Sequence, residues 1–166
     1  MESRREDIES CFRAHYGRLV HALTLVSGSE ESAADAVQEA FVKAHMRWRK
    51  VSGYDDPIGW IRRVAINGLR DEHRQTQRKE RAMHRLSAGA DVVVNVPDTG
   101  HLDALAGAIA ELPRQQRLAI ALYYLEDLSV AETASTLELS EGAVKFHLHQ
   151  GRERLRGLLA EKNDPR

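Results

Sequence analysis

Apolar residues recur at helical spacing along almost the whole chain. Ile8, Phe12, Leu19, Leu23 and Val26 mark one face of a helix from about Glu6 to Val26. Ser27-Gly28-Ser29 breaks that pattern, and Ser29 is placed to cap a second helix reaching about Trp48. Ala33, Val37, Ala40, Phe41, Ala44 and Trp48 form its inward side, while Asp35, Gln38, Glu39 and Lys43 face out. A loop over residues 51–56 precedes Pro57, which sits where a first helical residue belongs, with Asp56 as its cap. The third helix runs to about Arg81 and has two contrasting sides. Ile61, Val64, Ala65, Gly68 and Glu72 cluster on one, and Arg63, Asn67, Arg70 and Arg74 recur along the other. A cationic stripe with an embedded Asn suits a nucleic-acid backbone with some base contact.

Between about Leu86 and Gly100 the periodicity lapses into small residues and one Pro, as in a flexible linker. Helical spacing then resumes at Leu102, Leu105, Ile109 and Leu112, stops at Pro113, and returns through Leu118, Leu122 and Leu125 to about Glu126. From Ser129 to Leu159 the pattern is a short helix, a tight turn and a longer helix. Ser129 and Glu132 have capping-box spacing, Ala131, Ala134 and Leu137 give the first helix its apolar face, and Ser140 caps the second. In that second helix Val144, Leu148, Gly151, Leu155 and Leu158 share the inward stripe. Gly142, Phe146, His149 and Gln150 lie opposite, flanked by Lys145 and Arg152 on one edge and His147 and Arg154 on the other. Such a helix can lie in a DNA major groove; an ordinary amphipathic surface helix has the same periodicity. With no strand pattern of any length, the fold class expected is all-α. Two small helical domains, residues 1–85 and 101–161, are joined by the linker 86–100.

Composition narrows the setting. In 166 residues, 42% are hydrophobic and 30% charged, as in a soluble globular protein. The one cysteine, Cys11, rules out an internal disulfide, and no apolar run is long enough to span a membrane, so a cytoplasmic chain without membrane insertion is expected. A net charge of −1 argues against coating DNA by bulk positive charge, but the charge is sorted by segment. Residues 1–42 hold eight acids against four bases, whereas residues 62–85 hold eight bases against three acids. Catalysis has no candidate residues: there is no phosphate-binding Gly-rich loop, and the eight His are scattered. His147 and His149 differ by about 200° around their helix and cannot share a metal. No metal and no cofactor are expected.

Four blocks in order then carry a resemblance. They are ADAVQEAFVKA from Ala34, PIGWIRRVAIN from Pro57, ELPRQQR from Glu111, and LSVAETA from Leu128 with SEGAVK from Ser140. Together they resemble bacterial RNA polymerase sigma factors of the extracytoplasmic-function group in the sigma-70 family, over roughly residues 5 to 160. The resemblance implies a region 2-like bundle that binds core RNA polymerase and the −10 promoter element, and a region 4-like helix-turn-helix that binds the polymerase flap and the −35 element. It places Asp35, Gln38, Glu39 and Phe41 in the polymerase-binding segment, and Arg62, Arg63, Asn67, Arg70, Asp71 and Arg74 in the −10 segment. Ser140, Gly142, Lys145, Phe146, His147, His149, Gln150 and Arg152 fall on the −35 recognition helix. It further implies promoter DNA as a partner and masking by an anti-sigma factor. Two departures from the family pattern stand out: Glu138 where a Gly is usual, and Phe146, His147 and Gln150 where a Ser and two Arg are usual. The competing reading is a stand-alone dimeric helix-turn-helix regulator that binds palindromic DNA.

Overall fold

The computed structural model describes residues 7–84 and 101–164, and the expected linker 86–100 lies outside them. Among the described residues every regular element is helical. The order is α1 (Ile8–Ser27), α2 (Glu30–Met46), a short α3 (Trp48–Val51), α4 (Pro57–His84), α5 (His101–Ala110), α6 (Arg114–Ile120), a π-helical turn (Ala121–Leu125), α7 (Val130–Leu137) and α8 (Glu141–Lys162).

Local chemistry sets the ends of these helices. Asp7 accepts the Ser10 N–H at 2.7 Å and starts α1, and this bond to the backbone holds its carboxyl below the usual range. Gly28, at φ 74°, ends α1 in the left-handed region that glycine enters without cost. Ser29 takes the Ser32 N–H at 3.2 Å, and Asp56 takes the Gly59 N–H at 3.0 Å. A Cβ at residue 59 would collide with that Asp56 carboxylate, so a side chain there forces the cap to shift. The expected second helix is divided: it stops at Met46, and Trp48 begins α3.

The apolar faces assemble into two clusters. The larger joins Leu19, Leu23, Val26, Val37, Ala40, Phe41, Ile61, Ala65 and Ile66 of the first half to Leu118, Ala121, Leu122, Leu128 and Leu137 of the second. The smaller lies within the second half, where Leu112, Ala119, Ile120, Ala134, Val144 and Leu148 meet. The two helical halves therefore share apolar burial. Three inward assignments shift: Phe12 and Leu105 keep solvent-exposed surface, and Ala131 is exposed.

Candidate nucleic-acid and polymerase interfaces

The helix-turn-helix forms as its capping residues dictate. Ser129 accepts the Glu132 N–H at 3.1 Å and the Glu132 carboxylate accepts the Ser129 N–H at 3.4 Å, completing the capping box. Glu138 turns the chain at φ 56°, ψ 42°, a left-handed conformation disfavoured for a side chain with a Cβ. Ser140 then accepts the Ala143 N–H at 3.1 Å and starts α8. Val144, Leu148 and Gly151 bury the inner side of α8, and Gly151 permits close approach to α6, since a Cβ there would lie 3.1 Å from Ile120 Cγ1.

On the outer side Gly142, Lys145, Phe146, His149 and Gln150 are exposed, with Ser140 exposed at the helix start. Phe146 is 59% exposed, with its ring edge-on to His147. His147 is half-buried. Arg152 stands apart from this group. Its Nε donates to Tyr124 Oη at 2.7 Å, and its guanidinium lies 5.6 Å from the Tyr124 ring centre, so it is pulled back toward the π-helical turn.

The stripe on α4 divides in two. Asn67, Asp71 and Arg74 are exposed, whereas Arg63 and Arg70 are half-buried. Arg62 departs from expectation: it is 4% exposed, and its Nε and Nη2 donate to Glu126 Oε2 at 3.2 and 3.1 Å. Glu126 is itself 5% exposed. Arg62 thus belongs to a buried ion pair and is not free to meet a −10 element in this arrangement, which corrects its place in that segment. The reason is geometric: one helical step from Ile61 turns it toward the second half. Arg63 Nη2 also reaches that half, donating to the Ser135 carbonyl at 3.3 Å.

On α2, Asp35, Gln38 and Glu39 are exposed, and Gln38 Nε2 donates to Tyr16 Oη at 3.1 Å. Phe41 is 5% exposed, which corrects its place among surface-binding residues. It packs edge-on beneath Phe12, with ring centres 5.0 Å apart. Its edge forms the floor of a shallow apolar cavity of about 420 Å³ with Ile8, Phe12, Gln38 and Val42. A larger groove of about 920 Å³ runs between α2 and α4 and brings Asp35, Glu39, Trp60, Asn67 and Asp71 to one place. Two segments expected to serve different partners therefore share a groove. Trp60 is half-buried on its wall, 6.4 Å from Tyr54.

Sequence reasoning missed the contacts between the halves: Glu126, Ser135 and Arg117, whose Nη1 donates to the Val26 carbonyl at 2.8 Å. Only one signal was available, the acidic pair Glu126-Asp127 closing the apolar run from Leu118 to Leu125. Among the described residues no group of His, Cys, Asp and Glu is arranged to hold a metal. No described helix is long and apolar enough to cross a membrane.

An exposed recognition-type helix held by a capped turn, beside a second helical half with a basic face, defines a helical DNA-recognition protein. The family model for sigma-70 region 2 matches residues 11–79, and that for sigma-70 region 4 matches residues 102–155. The ECF RNA polymerase sigma factor SigM of Mycobacterium tuberculosis (strain ATCC 25618 / H37Rv) is 32% identical over 163 residues, covering 96% of this chain and 80% of that one. SigM of Bacillus subtilis (strain 168) is 27% identical over 157 residues, covering 91% and 94%. Among solved structures, the sigma factor RpoE in complex with the anti-sigma factor NepR from Bartonella quintana superposes with a TM-score of 0.73 at 22% identity, covering 96% of this chain and 99% of that one. CnrH in complex with the cytosolic domain of CnrY gives 0.65 at 24% identity, covering 95% and 89%. The chain belongs to the sigma-70 family, in its extracytoplasmic-function group of promoter-directing subunits. Because the first half matches sigma-70 region 2 over residues 11–79, the comparison favours this family over a stand-alone dimeric regulator.

Proposed function

We propose that this chain binds core RNA polymerase through α1 and α2 and directs initiation by reading two promoter elements, one with each half. The observation that carries the reading is the outer face of α8, where Lys145, Phe146, His149 and Gln150 stand free of the core. On this reading α8 enters the major groove at the −35 element, starting from Ser140 and Gly142. Lys145 sits on a phosphate, His149 and Gln150 address base edges, Phe146 meets a thymine methyl, and the half-buried His147 stays at the rim of the groove. Arg152 reaches DNA only by leaving Tyr124.

The exposed part of the α4 stripe serves the −10 element. Asn67 and Arg74 contact the strand, Asp71 lines the groove, and the α2–α4 groove beside Trp60 offers an unstacked base an aromatic wall. Arg63 and Arg70 join them once the second half moves away. Gln38, Asp35, Glu39 and the Phe41-floored cavity form the polymerase face, where a helix of the clamp would dock. Near-neutral net charge fits a subunit that gains DNA affinity from its large partner. The chain works in the cytoplasm, carries out no covalent chemistry, uses no cofactor, and is masked by an anti-sigma protein when idle.

Run-off transcription with core polymerase and a supercoiled promoter library tests the proposal. Initiation from a defined set of promoters is expected, and Lys145→Ala lowers their use without weakening core binding. Transcripts no different from those of core alone would refute it.

A further inference from the structure

At the seam between α4 and α6, guanidinium groups gather without an ion-paired acid among the described residues. Arg114 and Arg117 line a cavity of about 220 Å³ together with Ser32, Glu72, His73 and Thr76. Arg114 Nε and Nη2, and Arg117 Nε, are buried and have no acceptor. Arg117 is fixed by its bond to the Val26 carbonyl, so its remaining donors have a set direction. Burial, and after it the neighbouring Arg70, Arg117 and Arg74, lower the Arg114 pKa from its ordinary value. Among the described residues no carboxylate forms an ion pair with any of these four arginines.

Like charges brought together with unmet donors oppose the closed arrangement. An oxyanion removes both penalties at once, since its acceptors satisfy the unmet guanidinium donors of Arg114 and Arg117 and its charge offsets theirs. The cavity is small and bounded by helices α1, α2, α4 and α6, which suits a compact ion better than an extended acidic peptide. Glu72, whose Oε1 already accepts the Ser32 hydroxyl at 3.0 Å, adds a selective element. Its carboxylate repels a fully ionised anion and accepts a hydrogen bond from a protonated phosphoryl oxygen.

We propose that this seam is a binding site for a phosphoryl anion, held by Arg114 and Arg117 of one half and by Ser32, Glu72 and Thr76 of the other. Because both halves supply ligands, binding is linked to closure. Closure is the state in which Arg62 is held by Glu126 and Arg63 by the Ser135 carbonyl. If the α4 stripe reads DNA as proposed above, the anion restrains promoter reading. The binding claim itself does not depend on that reading.

Inorganic phosphate, pyrophosphate and sulfate are titrated into the full chain at ionic strength matched with sodium chloride. The thermal midpoint and the fluorescence-transfer distance between labels on α2 and α8 are followed. Phosphate and pyrophosphate are expected to raise the midpoint saturably by a few degrees and shorten the distance, with sulfate weaker. Arg114→Gln abolishes the response, and Thr76→Val weakens it if Arg114→Gln fails to fold. Short duplex DNA in a parallel arm tests the other source of phosphate. A response equal to that of sodium chloride, one unchanged in both variants, or stabilisation by duplex DNA alone would overturn the proposal. Promoter-specific transcription by the untreated protein, measured separately, shows whether the sigma reading stands whatever the anion does.

Discussion

Glu138 holds the turn between α7 and α8 at a positive φ, where a Cβ meets the following carbonyl oxygen. Glu138→Gly is expected to raise unfolding stability by about 1 kcal/mol, since a glycine relieves that contact and only part of the gain is lost to its freer unfolded chain. Urea denaturation reads the change, and no gain would mean that the turn carries no strain. Phe146 offers the opposite case, a large apolar side chain exposed on the proposed reading face. Phe146→Ala should leave stability nearly unchanged and cost about 1 kcal/mol or more of discrimination at one promoter base pair. Selection from a randomised −35 region checks it. Glu138 was legible as a departure from the family pattern, which has a Gly at this turn, and the structure gives it the positive φ that a Gly would suit. Arg62 was not: the resemblance placed it in the −10 segment, and only the partner helix shows that it turns toward Glu126.

Single elements show why local patterning succeeded in most places and failed at the seam. Cap residues with short polar side chains announce helix starts, and Ser29, Asp56, Ser129 and Ser140 each hold the backbone N–H expected of them. Gly59→Ala is expected to displace the Asp56 carboxylate and cost about 0.5–2 kcal/mol, the usual effect of losing a cap; thermal melts of the full chain read it. The π-helical turn left no such sign. Its wider ring, closed by the Glu126 N–H on the Ala121 carbonyl at 3.2 Å, adds a residue to the turn and carries Glu126 to Arg62. A hydrophobic period of 3.6 does not reveal that insertion. Nor does it tell which of two exposed-looking arginines will meet an acid sixty-four residues away.

Across the whole molecule, one apolar cluster drawing on both halves makes closure a property of the packing, with the Arg62–Glu126 pair at its polar edge. Removing Glu126 leaves Arg62 buried without a counter-charge, a penalty of about 3–5 kcal/mol if the halves stayed together. Glu126→Ala is therefore expected to separate them, seen as a larger radius of gyration in small-angle scattering with helix content unchanged. Replacing the pair by Arg62→Met with Glu126→Leu should do the reverse, since apolar groups of similar volume commonly match or exceed a buried ion pair. That double variant is expected to bind core polymerase normally and initiate more slowly. The division into two helical halves was legible from the break in periodicity after residue 85, but their mutual packing was not. The residues that carry it look like ordinary inward positions of separate bundles.

The most direct measurement places a photoreactive residue at Asn67 and, in a second protein, at Phe146, each assembled with core polymerase on one promoter. Crosslinks are expected from position 67 to the −10 segment and from position 146 to the −35 segment of the same DNA. Crosslinks from both positions to a single segment, or none that depend on polymerase, would contradict it.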